Sequence, residues 1–552
     1  MNTRTLIARS LLFHWRKHLL VILGTVTAGA VLVGALVVGD SVRLSLRAIG
    51  LRRLGNTELA MLAPNRTLRA TMAEALAASL ATEVAPVLRL RATVSRPDGM
   101  ARKNAVQALG VDGRFWSLSP GGLPPATTDP DGVMLNARLA RRLAVREGEA
   151  VVVRLDTASL LPREAPLSPH ADSTVALRAT VARILDDEAL GNFSLQANQI
   201  APFNIFLPLP RLQALVGIAD RANLLLVGRD NELTGQRAGE ALRAHFRLAD
   251  AGYDLRALKR DGTLELRTNR VFVEPQVEKA AAAADTDAIG VITYLVNELG
   301  VGEQATPYSL VCALGPLGGG ANGPSIPPLP DGVTDGDVVV NAWLAEDLQA
   351  RVGDVLSMSY YVFGPLQALE ERRVSFSVAS VAALEGAAAD PELMPAYPGL
   401  ANTESCRDWR AGYLIDATRI RERDERYWKE HRGTPKAFLT LTTGRRLWEN
   451  RFGALTAVRF PSHHDPSDLE SRILLRLSPA ALGYSFEPVR TRVAAASQQG
   501  LDFGQLFLGL SSFLVVSALV LTCLLFGLAL EQRASEVGVL LALGFTPGAV
   551  AR

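Results

Sequence analysis

The chain is poor in the residues on which chemistry is most often built. Among 552 residues there are three cysteines, seven histidines and 6% aromatics. There is no CxxC pair, no HExxH and no GxSxG, so zinc-protease, serine-hydrolase and thiol-exchange chemistry find no support. No GxxxxGK[ST] loop is present either, and without that nest of backbone amides the chain has no means of cradling ATP phosphates. A charge excess of one sign is also missing. Lys and Arg number 58 against 56 Asp and Glu, interleaved along the chain, so charge gives a nucleic-acid partner no support and none is expected. His463-His464-Asp465 comes nearest to a metal motif, but adjacent histidines in a Pro/Ser loop read as solvated. No catalytic residue, metal ligand or cofactor is expected in this chain, and it is not expected to be an enzyme.

What it has instead is apolar residues, at 48%, on a length that calls for two or three cores. Two runs are long enough to leave water altogether. Leu19 to Gly39 carries no charge over 21 residues, which meets the roughly 20 residues needed to cross hydrocarbon. A cleaved signal peptide ending near Ala28-Gly29-Ala30 is the competing reading, but the stretch before the run is long for one. Residues 1–18 mix Leu6, Ile7, Leu11, Phe13 and Trp15 with Arg4, Arg9, Arg16 and Lys17, as expected of an amphipathic helix at a cytoplasmic membrane surface. Arg43, Arg47, Arg52 and Arg53 after the run argue for the opposite orientation, although long translocated regions obey that rule weakly. A second uncharged run, Gln505 to Leu530, gives a second transmembrane helix over 504–530. The expected fold is thus a membrane anchor of two transmembrane helices, 19–39 and 504–530, carrying a large α+β extracytoplasmic domain, with membrane lipid around the anchor.

Between the runs no third span qualifies, since Glu298 and Glu303 interrupt the apolar stretch Ala288–Gly315. The Gly- and Pro-rich stretch 315–330 marks a linker between a first half, 40–314, and a second, 331–503. Ser159–Ser173, with three prolines, is a softer break. The halves contain a repeat. Gly132-Val-Met-Leu-Asn136-Ala137-Arg-Leu139-Ala140 through Gly148-Glu149 aligns with Asp337-Val-Val-Val-Asn341-Ala342-Trp-Leu344-Ala345 through Gly353-Asp354, 205 positions on. Each copy reads as a strand, an Asn helix cap, a two-turn helix and a Gly turn into another strand, and alternation at Val175, Leu177, Ala179 and at Val374, Phe376, Val378 continues the strands. Duplication into two related subdomains is the preferred reading over two unrelated segments with one pattern. Cys312 and Cys406 both fall in the extracytoplasmic region, where a disulfide between them is compatible with the compartment, though spacing does not fix connectivity. The dense segment Cys406–Trp409 and Arg423–Phe438 reads as a polar surface or, preferably, as an amphipathic helix with its aromatics inward, ended by Pro435.

The second run opens into Glu531-Gln-Arg-Ala-Ser-Glu536-Val-Gly538-Val-Leu540-Leu-Ala542-Leu-Gly544-Phe-Thr546-Pro547. A charged then apolar helix broken at Gly544 and restarted at Thr546-Pro547 leaves one side open to a soluble partner. The motif Glu536-x-Gly538-x-Leu540-x-Ala542-Leu543-Gly544 directly after a span resembles the MacB/FtsX family of ABC-transporter permeases, and Gly39-Asp40-Ser41-Val42 after the first span is a weaker likeness. The resemblance implies a cytoplasmic coupling segment over 531–552, with Glu536, Gly538, Leu540, Ala542, Gly544, Thr546 and Pro547 docking on a separate ABC ATPase that holds the ATP. It also implies a bacterial inner membrane, a dimer of permeases and mechanotransmission, in which ATP-driven motion is relayed through long helices to the extracytoplasmic domain. Family members have at least four spans, so the sequence looks like the N-terminal portion of a longer permease. A two-span sensor or polysaccharide co-polymerase shares the topology without a coupling segment, and an anchored extracytoplasmic enzyme is disfavoured by the absent motifs.

Overall fold

The computed structural model describes residues 3–63, 66–121, 132–156, 174–196, 200–230, 233–318, 326–363, 368–397, 399–410, 413, 415–461, 464–499, 503–531 and 533–551. Ser159–Ser173, His463 and the middle of the stretch 315–330 lie outside them. The chain divides into two compact units, one of residues 56–192 and 202–488, the other of residues 1–55, 193–201 and 489–552.

The first unit is built from two copies of one strand arrangement. In the first copy the strands are β1 (Val84–Ser95), β2 (Arg102–Val111), β3 (Gly132–Asn136), β4 (Ala150–Asp156), β5 (Thr174–Leu185) and β6 (Asn204–Pro208). In the second they are β7 (Ile289–Val301), β8 (Gln304–Pro316), β9 (Asp337–Asn341), β10 (Val355–Phe363), β11 (Leu369–Ala382) and β12 (Ala437–Thr440). The first set runs β1-β2-β6-β3-β5-β4 and closes when β4 pairs back to β1. The second runs β7-β8-β12-β9-β11-β10 and closes through β10 on β7. Strand directions match step for step: β2–β6 and β8–β12 are parallel, β3–β5 and β9–β11 are parallel, and the remaining pairs of each ring are antiparallel. Even the register irregularity recurs, between Val133 and Met134 in one copy and Val338 and Val339 in the other. Outside each ring further strands add to its first strand, Thr57–Leu62 with Leu224–Gly228 on β1, and Tyr253–Ala257, Leu264–Thr268 and Ala457–Phe460 in that order on β7.

Alternation decides which face of each strand is buried. Leu88, Leu90, Val106, Leu135, Val151, Val153, Val181 and Ile205 form one core in the first ring, and helix Ala137–Leu143 adds Leu139 and Leu143 to it. In the second ring Ile292, Tyr294, Val340, Leu356, Met358, Phe376 and Leu439 do the same with Leu344 and Leu348 of helix Ala342–Leu348. That second core also takes in Leu59, Met61, Leu225 and Val227 from the strand pair outside the first ring, so the copies share apolar surface.

The repeat predicted from sequence is therefore present, but the divide between its copies is not where composition put it. The stretch 315–330 joins β8 to β9 within the second ring, whereas the sheets part between Gly228 and Tyr253, around helix Gly235–His245. Gly and Pro forbid regular structure and so mark a loop, and a loop inside a domain carries the same composition as one between domains.

The other unit is helical: α1 (Thr3–Phe13), α2 (Trp15–Leu54), α3 (Val489–Gln499), α4 (Phe503–Glu531), α5 (Ala534–Ala542) and α6 (Pro547–Ala551). The 40 residues of α2 make a rod of about 60 Å, twice the thickness of a hydrocarbon core. The helix runs on past the apolar stretch 19–39 rather than ending with it. Both α3 and α4 pack along α2. Arg490 Nη1 donates to the carbonyl of Gly55 at 2.8 Å, and a Cβ on Gly50 would lie 2.7 Å from Val493 Cγ1. Among the described residues no helix is long and apolar enough to cross a membrane, and several side chains within both apolar runs lie outside that set.

Candidate functional site

The segment that follows α4 is held at one end and free along its length. Arg533 occupies the position before α5, and Glu536 stands in its first turn, where a carboxylate favours the helix dipole. Glu536 Oε1 accepts a hydrogen bond from His14 Nε2 at 3.0 Å, while Arg533 Nε donates to Oε2 at 3.2 Å. Arg533 Nη2 reaches Ser10 Oγ at 2.6 Å. The bond from Arg533, joined by that from His14, holds the Glu536 carboxyl below the usual carboxylate range. His14 itself is 9% exposed and sits at the break between α1 and α2. Ser10, His14, Arg533 and Glu536 thus pin the start of α5 to the N-terminal helix.

Beyond that pin no residue of α5 is buried. Val537, Val539, Leu541 and Leu543 are exposed, and a Cβ on Gly538 would meet nothing within 4 Å. Leu540 is half-buried and Ala542 ends the helix. Gly544 then takes φ +91, a left-handed conformation that L side chains rarely adopt, and its N–H bonds to the carbonyl of Leu541 at 3.0 Å. Thr546 accepts from the N–H of Ala549 at 2.8 Å and Pro547 opens α6. The sequence reading of a helix stopped at Gly544 and restarted at Pro547 matches this geometry. It missed His14 and Ser10, which lie over 500 residues from their partners, a separation that carries no local signal.

The structure draws the other sequence candidates into packing. Cys312 and Cys406 are both free thiols, contrary to a disulfide. Cys312 faces a cluster with Leu314, Phe438 and Leu393, whereas Cys406 belongs to the core on the other side of the second ring. Successive strand residues point to opposite faces, so Cys312 turns away from the core that its neighbours Val311 and Ala313 enter. Burial pushes both thiols up to about 12, which leaves them inert. His464 is not solvated: it pairs with Asp285 Oδ2 at 2.8 Å and with Arg472 at 2.8 Å, and Asp465 caps helix Pro466–Arg476. Among the described residues no group of His, Cys, Asp and Glu could hold a metal ion.

The dense segment forms helix Glu422–Glu430 with Tyr427 and Trp428 buried and Arg421 as its cap. It ends at Glu430, well before Pro435, because the chain must turn to place Lys436 and β12. Tyr427 Oη accepts from Asn341 Nδ2 at 2.9 Å and donates to the carbonyl of Thr434 at 3.2 Å. Lys436, 4% exposed, lies 3.6 Å from Asp424 Oδ1 and 4.2 Å above the Trp343 ring. Burial lowers its ammonium to about 8, and the two cations Arg421 and Lys436 hold Asp424 below its ordinary value against burial.

No protein-family model matches the chain, and no curated protein matches it. Several solved structures overlap part of it, among them the two that follow. The periplasmic region of MacB from Actinobacillus actinomycetemcomitans matches at 11% identity with a TM-score of 0.23, over 35% of this chain and 84% of that one. The extracellular domain of the noncanonic ABC-type transporter YknZ from Gram-positive bacteria matches at 11% identity and a TM-score of 0.23, over 34% of this chain and 92% of that one. An overlap of this size carries no argument about function, which rests on the chain's own residues.

Proposed function

We propose that this chain is the permease subunit of an ABC transporter of the mechanotransmission type. In this reading α2 and α4 cross a bacterial inner membrane, the two-ring α+β unit lies on the outer side, and two permeases act as a dimer. ATP is bound and hydrolysed on a separate cytoplasmic ATPase. The observation that carries the proposal is α5: an apolar helix with no buried residue, fixed at its first turn by His14 and Arg533 and closed by the left-handed Gly544. An unburied apolar surface next to a fixed anchor is what a docking partner covers. Support for membrane crossing comes from α4, whose 29 residues span about 43 Å without a charge before Glu531. The length of α2 supports the relay, since a rod of twice the bilayer thickness carries displacement beyond the membrane.

Co-purification with the ATPase encoded beside the gene tests the reading. Glu536→Lys sets a cation against Arg533 and His14, and Gly544→Trp forces a side chain into a left-handed turn. Each is expected to cut bound ATPase by about tenfold or more, a loss of about 1.4 kcal/mol or more. Wild-type amounts of ATPase on both variants would remove the coupling assignment.

A further inference from the structure

The two-ring unit contains a cavity of about 330 Å³ lined by Arg66, Arg270, Phe272, Glu274, Arg451 and Phe452, among others. That volume reaches the lower end of small-molecule pockets, roughly 300–1,000 Å³. Its charge is unbalanced. Arg66 and Arg270 converge on a single carboxylate oxygen, Glu274 Oε1, the second at 2.6 Å. One carboxylate cannot satisfy two forks of five donors each. Arg66 Nη1 and Arg270 Nε are buried without a hydrogen-bond partner among the described residues, and both side chains are 17% exposed. Burial, and next the charge of Arg66, lower the pKa of Arg270 further than Glu274 raises it. Phe272 is 2% exposed and Phe452 is half-buried, so the wall beside the arginines is apolar.

We infer that this cavity binds a phosphate monoester dianion, with Arg66 and Arg270 holding its oxygens and Arg451 at the rim. Two arginines sharing one carboxylate leave an excess of positive charge for an anion, and the fork geometry of arginine suits the oxygens of a phosphate. A free phosphate and the headgroup of phosphatidic acid share this chemistry, and the aromatic wall would accept the start of an acyl chain in the second case. The site is independent of the coupling segment and does not rest on the transporter reading.

Calorimetric titration of the full chain in detergent tests it, with inorganic phosphate in one arm, dihexanoyl phosphatidic acid in a second and dihexanoyl phosphatidylcholine as control. Saturable binding of either anion, without binding of the control, is expected at millimolar concentration or below. Binding of inorganic phosphate identifies a free phosphate site, and binding of phosphatidic acid alone identifies a lipid headgroup. Arg270→Gln and Arg451→Gln should each weaken binding, the former by about tenfold. Glu274→Gln removes the competing carboxylate and should strengthen it, so the inference stays testable if an arginine variant fails to fold. It is overturned if neither anion binds, if phosphatidylcholine binds equally, or if affinity is unchanged in Arg270→Gln and Glu274→Gln.

Discussion

At the scale of single residues, the caps Asn136 and Asn341 show how much a short pattern can reveal. Each accepts the N–H three residues on, Leu139 at 3.0 Å and Leu344 at 2.8 Å, as an Asn before a periodic apolar segment leads one to expect. What the pattern did not reveal is their second task. Asn341 is fully buried and also donates to the Pro435 carbonyl at 3.2 Å and to Tyr427, and Asn136 donates to Asn192 and to the Pro202 carbonyl at 2.9 Å. These partners come from distant sequence, so they were not legible. Asn341→Ala should cost about 2–4 kcal/mol, the sum of a lost cap and buried groups left unpaired, read from urea unfolding of the full chain. Lys436 offers a test through pH. Its folded pKa of about 8 lies below its ordinary 10.5, so between those values the unfolded chain binds more protons than the folded one. Stability of the wild type relative to Lys436→Met should therefore rise as pH increases from about 8 to 10.5. A difference that stays flat or falls over that window would contradict the assigned burial of a charged ammonium.

Elements carry the duplication further than residues do. Alternating apolar positions and the Asn–helix–Gly turn were readable, and so was the 205-residue offset. The ring closures β4–β1 and β10–β7 were not, because pairing between strands remote in sequence leaves no periodic trace. Equivalent glycines now allow a paired experiment. Gly315 on β8 sits where a Cβ would come 2.6 Å from Leu441 Cβ, and Gly110 on β2 where it would come 2.9 Å from Leu212 Cδ2. A Cβ is fixed to the helix backbone, whereas a terminal methyl can rotate away. Gly315→Ala should thus destabilise by about 1–3 kcal/mol and Gly110→Ala by clearly less, measured as shifts in the unfolding midpoint. Equal costs would mean that the two helices pack with the same freedom.

For the whole molecule, the apolar runs, the α+β unit between them and the helix break at Gly544 were legible in the sequence, each from composition or a local signal. The sequence did not place the pin formed by Ser10 and His14 on Arg533 and Glu536, or the continuation of α2 to Leu54. The central claim is that ATP-driven events at α5 are passed along α2 and α3. Hydrogen exchange on the chain reconstituted with its ATPase, compared between ADP and a non-hydrolysable ATP analogue, reads this directly. The account predicts that amide exchange in residues 41–54 and in Val489–Gln499 changes with nucleotide, and that Glu536→Lys abolishes the change. Stable ATPase binding with the same exchange in both nucleotide states would contradict it.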